Sequence, residues 1–358
     1  MRRLTALACV ALFLASASPS GQQPIFTPYG ILPVLDSYLE ALRMQAGIPG
    51  MSAAIVRDGV ILWEKGYGFQ NVATRERATP ATPYVIGDAS GTLAAILVLQ
   101  CVEQRRLALD TPLGQYGIDI PEKAATLRDL LSHRQNETQG EPFLYNPDRY
   151  GQLTTVMEWC APQPYRKSVS HRLLNRLAMV DSVPGTDLRD ADLPLPEGLY
   201  DGEELERYRR VLERAAPPYK VDSKGRVERI ELPPTQMSAS GGLVSTVRDL
   251  ARLDGALDAG LLLQEQTLGP AWQPVTGYRG TALPTGLGWF VQSYNGQRVV
   301  WHFGNVPNAY SSLIIKLPER NLTFILLANS DKLVAPYQIP AGDVSRSLFA
   351  TLFLKLVT

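Results

Sequence analysis

Residues 87–103 constrain this chain more than any other stretch. Gly87-Asp88-Ala89-Ser90-Gly91-Thr92 is a run of short, turn-forming residues. Leu93-Ala94-Ala95-Ile96-Leu97-Val98-Leu99-Gln100-Cys101-Val102-Glu103 follows it as a nearly unbroken apolar run. Turn residues ahead of a long apolar run mark a helix start, and the remainder of the chain has to be arranged around a helix this apolar. Asp88 is expected to cap it: a carboxylate there accepts the orphan amides of the first turn and suits the positive end of the helix dipole.

Length and charge bound the rest. The chain has 358 residues, 45% of them hydrophobic, enough for one large domain or two modest ones with a packed core. Thirty-five basic residues balance 35 acidic ones. Both signs are well mixed, so a nucleic-acid or acidic-polymer partner is not expected.

The first residues read as an export signal. Arg2-Arg3 precede a mostly apolar core over 4–17, and Ala15-Ser16-Ala17 is a small-x-small cleavage candidate. The signal is therefore placed at 1–17 and a leader at 18–30. The apolar run is too short for a comfortable membrane span, so no stable span is expected after cleavage, and the protein is expected to be periplasmic or secreted. Cys101 and Cys160 remain after cleavage. A cysteine on an apolar helix is usually a small buried hydrophobe; an exported protein could pair the two, but sequence alone does not bring them within bonding distance, and two free thiols are the favoured reading.

Periodicity places the elements. Residues 32–46 read as an amphipathic helix carrying Leu35, Leu39 and Leu42, ended by Gly47 and Pro49. Residues 52–57 and 60–67, joined by Asp58-Gly59, read as a β-hairpin, as do residues 287–294 and 297–301 around Asn295-Gly296. The segment Thr126 to His133 starts with a capping Thr and reads as a short helix. Helical segments continue over 156–179. Residues 181–234 shift to Pro, Gly and charge and form a polar insert with one helix at 203–215; such an insert shapes a pocket mouth or a partner surface, or is merely solvated. Residues 310–317 and 322–329 are further strands. Asp343 is expected to cap a last helix with Val344, Leu348, Leu352 and Leu356 on its buried face. Helices at both ends around antiparallel strands define an α+β layer.

Several spaced motifs give this chain a resemblance to the β-lactamase-related serine hydrolases: class C β-lactamases, D-alanyl-D-alanine carboxypeptidases and related esterases. The family's Gly-Ser-Val-Thr-Lys-Thr becomes Gly87-Asp88-Ala89-Ser90-Gly91-Thr92. Its Val-Glu-Glu-Gly-Lys-Leu-x-Leu-Asp-x-Pro is matched by Val102-Glu103-Gln104-Arg105-Arg106-Leu107-Ala108-Leu109-Asp110-Thr111-Pro112. Leu130-Leu131-Ser132-His133-Arg134-Gln135-Asn136 resembles Leu-Leu-Ser-His-Thr-Ser-Gly, whose histidine is structural. Tyr145-Asn146-Pro147-Asp148-Arg149-Tyr150-Gly151 stands for Tyr-Ser-Asn-x-x-Tyr-Gly, and Ala239-Ser240-Gly241-Gly242-Leu243-Val244-Ser245-Thr246 follows Ala-Gly-Gly-Leu-x-Ser-Thr. His302-Phe303-Gly304 resembles the His-x-Gly that replaces Lys-Thr-Gly in many members.

The resemblance implies a β-lactamase/penicillin-binding-protein transpeptidase-like fold over 31–358: an α/β lobe from about 31–87 and 245–358, a helical lobe from about 88–244, and a pocket in the cleft between them. It implies catalytic positions at Asp88, Tyr145 and His302, with Gly91, Pro147 and Gly304 lining the pocket. No cofactor is implied. The ligand class is a small molecule or a cell-envelope component.

The chemistry at these positions is altered. Acyl transfer needs a hydroxyl nucleophile, a group that takes its proton, and an oxyanion hole. Asp88 stands at the serine position and Gly91 at the lysine position. Pro147 replaces an asparagine and has neither a backbone N–H nor a hydrogen-bonding side chain. A carboxylate at 88 forms no stable acyl-ester and repels carboxylate-bearing substrates such as penicillins. Ser90 lies about 200° further round a helix and is expected to face away from the pocket. Three readings follow: a non-catalytic binding or regulatory member; a hydrolase of esters, amides or peptidoglycan-type substrates using Asp88, Tyr145 and His302 as an acid–base set, with an Asp88–His302 metal site as a weaker variant; and a fold in which Asp88 is only a helix cap.

Overall fold

The computed structural model describes residues 30–118, 124–135, 142–192 and 194–358. The export signal, the leader as far as residue 29, and Asn136 lie outside these. The opening helix α1 (Ile31–Gln45) leads into β1 (Gly50–Arg57) and β2 (Val60–Asn71), joined by Asp58 and Gly59, both at positive φ. Such a two-residue turn matches the twist of the flanking strands. Short strands β3 (Glu76–Arg77) and β4 (Tyr84–Val85) precede α2 (Gly91–Glu103).

The middle of the chain is largely helical: α3 (Leu127–Leu131), α4 (Pro147–Tyr150), α5 (Leu153–Cys160), α6 (Tyr165–Val169), the two-residue β5 (Val183–Pro184) and α7 (Gly202–Glu213). Thr126 and Asp129 form a reciprocal capping box on α3, and Asp201 and Glu204 form another on α7. A hairpin of β6 (Tyr219–Val221) and β7 (Val227–Arg229) completes the insert. Next come β8 (Leu243–Ser245), α8 (Val247–Asp258), capped by Thr246, and α9 (Glu265–Ala271). The chain ends with β9 (Phe290–Tyr294), β10 (Gln297–Val306), β11 (Tyr310–Leu317), β12 (Leu322–Ala328) and α10 (Leu348–Val357).

The main sheet runs β3-β2-β1-β12-β11-β10-β9, with every neighbouring pair antiparallel. Its central strands are covered on both faces, so their sequences are apolar throughout rather than alternating. On β12, Phe324 and Leu326 join the core under α1 and α10, while Ile325 and Leu327 join the core around α2 and α8. Leu35 and Leu39 anchor α1 to the first core, each contributing roughly 1.5–3 kcal/mol by leaving water. Helix α2 is buried on every side from Gly91 to Cys101, the position an all-round apolar helix has to take.

Three expectations need correction. The first is the start of α2. Residues Gly87–Ser90 form a 3-10 turn, the α-helix proper begins at Gly91, and no side chain caps it. Asp88 is therefore not an N-cap; its carboxylate is directed elsewhere, as described below.

The second is the last helix. Asp343 accepts the Ser345 N–H (2.9 Å) and so opens only a short turn, Val344–Arg346; the helix begins at Leu348 and is capped by Ser347. Its buried residues are Phe349, Ala350, Phe353, Leu354 and Val357, while Leu348 is 48% exposed. The segment is apolar along two stripes, and the phenylalanine stripe wins because its rings bury more area. Phe353 stacks on Phe324 with ring centroids 4.7 Å apart.

The third is the thiols. Cys101 and Cys160 form a disulfide that ties α2 to the end of α5, their Cα atoms 6.6 Å apart. The two helices pack side by side, which no local pattern in either segment announces.

Candidate functional site

The site is built where the turn before α2 meets strand β10. Two glycines let the backbones touch. A Cβ on Gly304 would stand 1.7 Å from the Ile86 carbonyl oxygen, and one on Gly87 (φ +59°) would stand 2.8 Å from the Asn305 nitrogen. Ser312 on β11 donates to the Ile86 carbonyl at 2.8 Å and holds the approach. This contact sets Asp88 against the amide of Asn305. The Asp88 carboxylate accepts hydrogen bonds from the Asn305 backbone N–H and from the Tyr145 hydroxyl. Burial pushes its pKa up to about 7; the Asn305 and Tyr145 donors oppose the rise and Asp148 adds to it. Tyr145 is in turn pushed well above the usual tyrosine range, by burial first and then by the Asp88 charge.

His302 stands one ring further back. Its centroid is 6.5 Å from that of Tyr145, and its Nδ1 pairs with the Phe303 carbonyl at 2.7 Å, as the donor in the neutral ring. Burial holds it down at about 4, so it is neutral at physiological pH. The structure thus joins Asp88 to Tyr145 directly and His302 only to the far side of the tyrosine. Among the described residues no group of three or more His, Cys, Asp or Glu is placed to hold a metal ion.

The positions where the family resemblance puts lysine and asparagine are filled rather than vacant. A Cβ on Gly91 would stand 3.1 Å from Cε1 of Tyr150, whose hydroxyl donates to the Gly91 carbonyl at 3.2 Å. That tyrosine is buried and stacks on His133, ring centroids 5.0 Å apart. His133 packs against Tyr145 as well, at 4.7 Å, and its Nδ1 accepts the Asn146 N–H at 3.3 Å. Burial pushes it down to about 3, which keeps it a neutral packing residue. Pro147 occupies the first position of α4, where its missing N–H costs nothing, and Asn146 caps that helix by accepting the Arg149 N–H. Ser90 is fully buried; its hydroxyl donates to the Gly87 carbonyl at 2.7 Å and accepts the Leu243 N–H at 3.3 Å, so it faces the scaffold.

Outside Asp88 lies a cleft of about 690 Å³. Its far wall comes from the insert over 181–234, through Arg189, Leu212, Arg229 and Pro233, with Thr235 just beyond it; Tyr310 and Asn305 close the near side. One feature escaped sequence reasoning: Asn305 follows Gly304 directly, so the glycine itself was the available signal. The insert lies at the cleft mouth, one of the places its composition allowed.

A family model described as Beta-lactamase matches residues 35–342. The chain belongs to the β-lactamase family. It is 23% identical over 288 residues to a protein of Bacillus subtilis (strain 168) named as a penicillin-binding protein, PbpX, covering 73% of this chain and 67% of that one. It is 25% identical over 155 residues to a D-aminopeptidase of Brucella canis, covering 43% of this chain and 28% of the relative's length. Among solved structures it resembles the octameric penicillin-binding protein homologue from Pyrococcus abyssi, with a TM-score of 0.68, 22% identity, and coverage of 87% of this chain and 76% of the other. It also resembles the D-amino acid amidase of Ochrobactrum anthropi SV3 in complex with L-phenylalanine amide, with a TM-score of 0.66, 18% identity, and coverage of 91% and 98%.

Placing the family's serine and lysine back into this frame is expected to be insufficient. In the double variant Asp88→Ser/Gly91→Lys the new side chain at 91 has to displace a buried, stacked tyrosine ring, and Pro147 still offers no hydrogen bond. Groups that act as a unit recover little when only some are restored. Incubation with a fluorescent penicillin should give no covalent labelling of this variant; labelling at position 88 would show that the frame had lost two side chains and nothing more.

Proposed function

We propose that this chain is a binding or regulatory member of its family, exported to the periplasm or beyond, that does not carry out Ser-x-x-Lys acyl transfer. The observation that carries the reading is Asp88 itself. At the position of the nucleophile a carboxylate already accepts the Asn305 amide and the Tyr145 hydroxyl, so the donors that would meet a substrate oxygen there are engaged by the protein. Gly91 supplies no amine to take a proton, and Pro147 no amide to hold a substrate. The 690 Å³ cleft is of ordinary size for a small-molecule or cell-envelope ligand. The disulfide supports the export reading, since such bonds persist in oxidising compartments.

A second reading has one observation in its favour. A carboxyl at about 7 both accepts and releases protons near neutral pH, the range in which a general base works best. Asp88 then draws a proton from water while Tyr145 orients it, giving an ester or amide hydrolase. One set of assays separates the readings. The binding reading expects no labelling of the purified protein by a fluorescent penicillin or a general serine-hydrolase probe, and no hydrolysis of p-nitrophenyl esters above background. Covalent labelling of any serine overturns it. Ester hydrolysis that disappears in Asp88→Ala overturns it in favour of the second reading.

A further inference from the structure

We propose that the face of the helical lobe around Arg105, Arg106 and Trp159 is a docking surface for an anionic lipid bilayer, separate from the cleft at Asp88. The first observation is Arg105. It stands where the family motif has glycine, and it adopts the left-handed conformation that glycine serves there, with φ at +57°. A long charged side chain in a glycine's conformation calls for a use outside the backbone. Arg105 and Arg106 are both exposed, and their guanidinium groups form no hydrogen bond or ion pair with any described residue. Among the described residues, Asp110, which also lines the groove, is paired with Arg128 at 2.8 Å, while Glu158 and Glu103 accept the Tyr165 and Gln264 backbone N–H groups at 3.0 and 2.8 Å and keep their charge.

The second observation is what flanks these arginines. They line a shallow groove with Leu107, Tyr116 and Trp159. Trp159 is 53% exposed, although a tryptophan normally hides its ring, and it rests edge-on against Tyr116 with centroids 5.1 Å apart. On the other side Arg172 feels the charges of both Arg106 and Arg176, and Arg176 donates to the carbonyl of Leu261, itself 56% exposed. The run Trp159, Arg105, Arg106, Arg172, Arg176, Leu261 is therefore contiguous. Two exposed, unpaired arginines, Arg105 and Arg106, with Arg172 and Arg176 held behind them by Gln100 and the Leu261 carbonyl, between an exposed tryptophan and an exposed leucine, fit the headgroup layer of an anionic membrane, where the rings seat at the interface and the guanidinium groups meet phosphates. The Cys101–Cys160 disulfide lies directly beneath. It joins the helix end that carries Arg105 and Arg106 to the helix end that carries Trp159, so the charges and the ring keep one spacing. Among the described residues no helix is long and apolar enough to cross a membrane, and the surface described is for contact with a bilayer.

Co-sedimentation of the full chain with vesicles tests this. Binding is expected to vesicles of phosphatidylcholine mixed with phosphatidylglycerol and not to phosphatidylcholine alone, and it should weaken as salt is added. Trp159 is the one exposed tryptophan of the five, so its emission should shift to the blue on binding. Arg105→Glu/Arg106→Glu should weaken binding by at least about tenfold, and Trp159→Ala should abolish the fluorescence shift while retaining salt-sensitive binding. Equal binding to neutral vesicles overturns the proposal. So does binding that survives the charge reversals, which would place it in another part of the chain such as residues 4–17. Capture of soluble polyphosphate without vesicle binding overturns the lipid assignment in favour of a free polyanion.

Discussion

Asp88→Asn should make the protein more stable at pH 8 by several degrees in melting temperature and leave it nearly unchanged at pH 4. Burial raises the Asp88 carboxyl from 3.8 to about 7 in the folded chain. The folded state therefore holds a proton over a range in which the unfolded chain has released it, and stability falls as pH rises from about 4 to about 7. Across that window the cost approaches about 4 kcal/mol, since each tenfold change in proton affinity is worth 1.36 kcal/mol. Asparagine keeps an oxygen to accept the Asn305 N–H and the Tyr145 hydroxyl and carries no charge, so it escapes the penalty above pH 7. Below pH 4 both chains are neutral at this position and the difference closes. Thermal melts of the two proteins at both pH values decide it. An equal gain at pH 4 and pH 8 would mean that charge is not the cause, and no gain at either would mean that the half-buried Asp88 carboxyl, at the cleft wall, is not desolvated enough to be shifted. A helix-capping Asp88 predicts no change at all.

What could be read from the sequence, and what could not, divides along the range of the interactions. The two hairpins were legible because Asp58-Gly59 and Asn295-Gly296 carry their turn chemistry within two residues. Capping by Thr126 was legible because a cap reaches only three residues ahead. The fold and the family were legible because motifs such as those at Gly87, Tyr145 and His302 recur in order. Asp88 shows where this stops. Its identity pointed to an N-cap, yet its partners are an amide more than 200 residues away on β10 and a hydroxyl on the loop before α4. The approach of Gly304 to Ile86 that brings the amide there is written in no local pattern. The last helix failed for a related reason: LFATLFLKLV offers two apolar faces, and only Phe324 across the sheet selects between them.

The cysteine pair is the third such case and carries the other large effect. Each cysteine alone reads as a small buried hydrophobe, and both are indeed buried, but α2 and α5 pack so that the sulfurs meet. Closing a loop across a sequence separation of 59 removes chain entropy from the unfolded state worth about 4 kcal/mol. Cys160→Ala, which leaves the oxidised core without its bridge, should lower the unfolding midpoint accordingly and should leave Cys101 buried as a free thiol. Thiol titration of the denatured full chain should find at most Cys9 before reduction and two further thiols after it. Because both cysteines are almost wholly buried, reductant should reach the bond only through local opening of α5, so reduction of the native protein should be slow and should quicken with denaturant well below the unfolding midpoint. Three free thiols in the untreated denatured protein would overturn the pairing. A Cys160→Ala variant with unchanged stability would mean instead that the packing of α2 against α5 holds the unfolded chain almost as tightly as the bond does, and that the bridge acts chiefly to fix the surface above it.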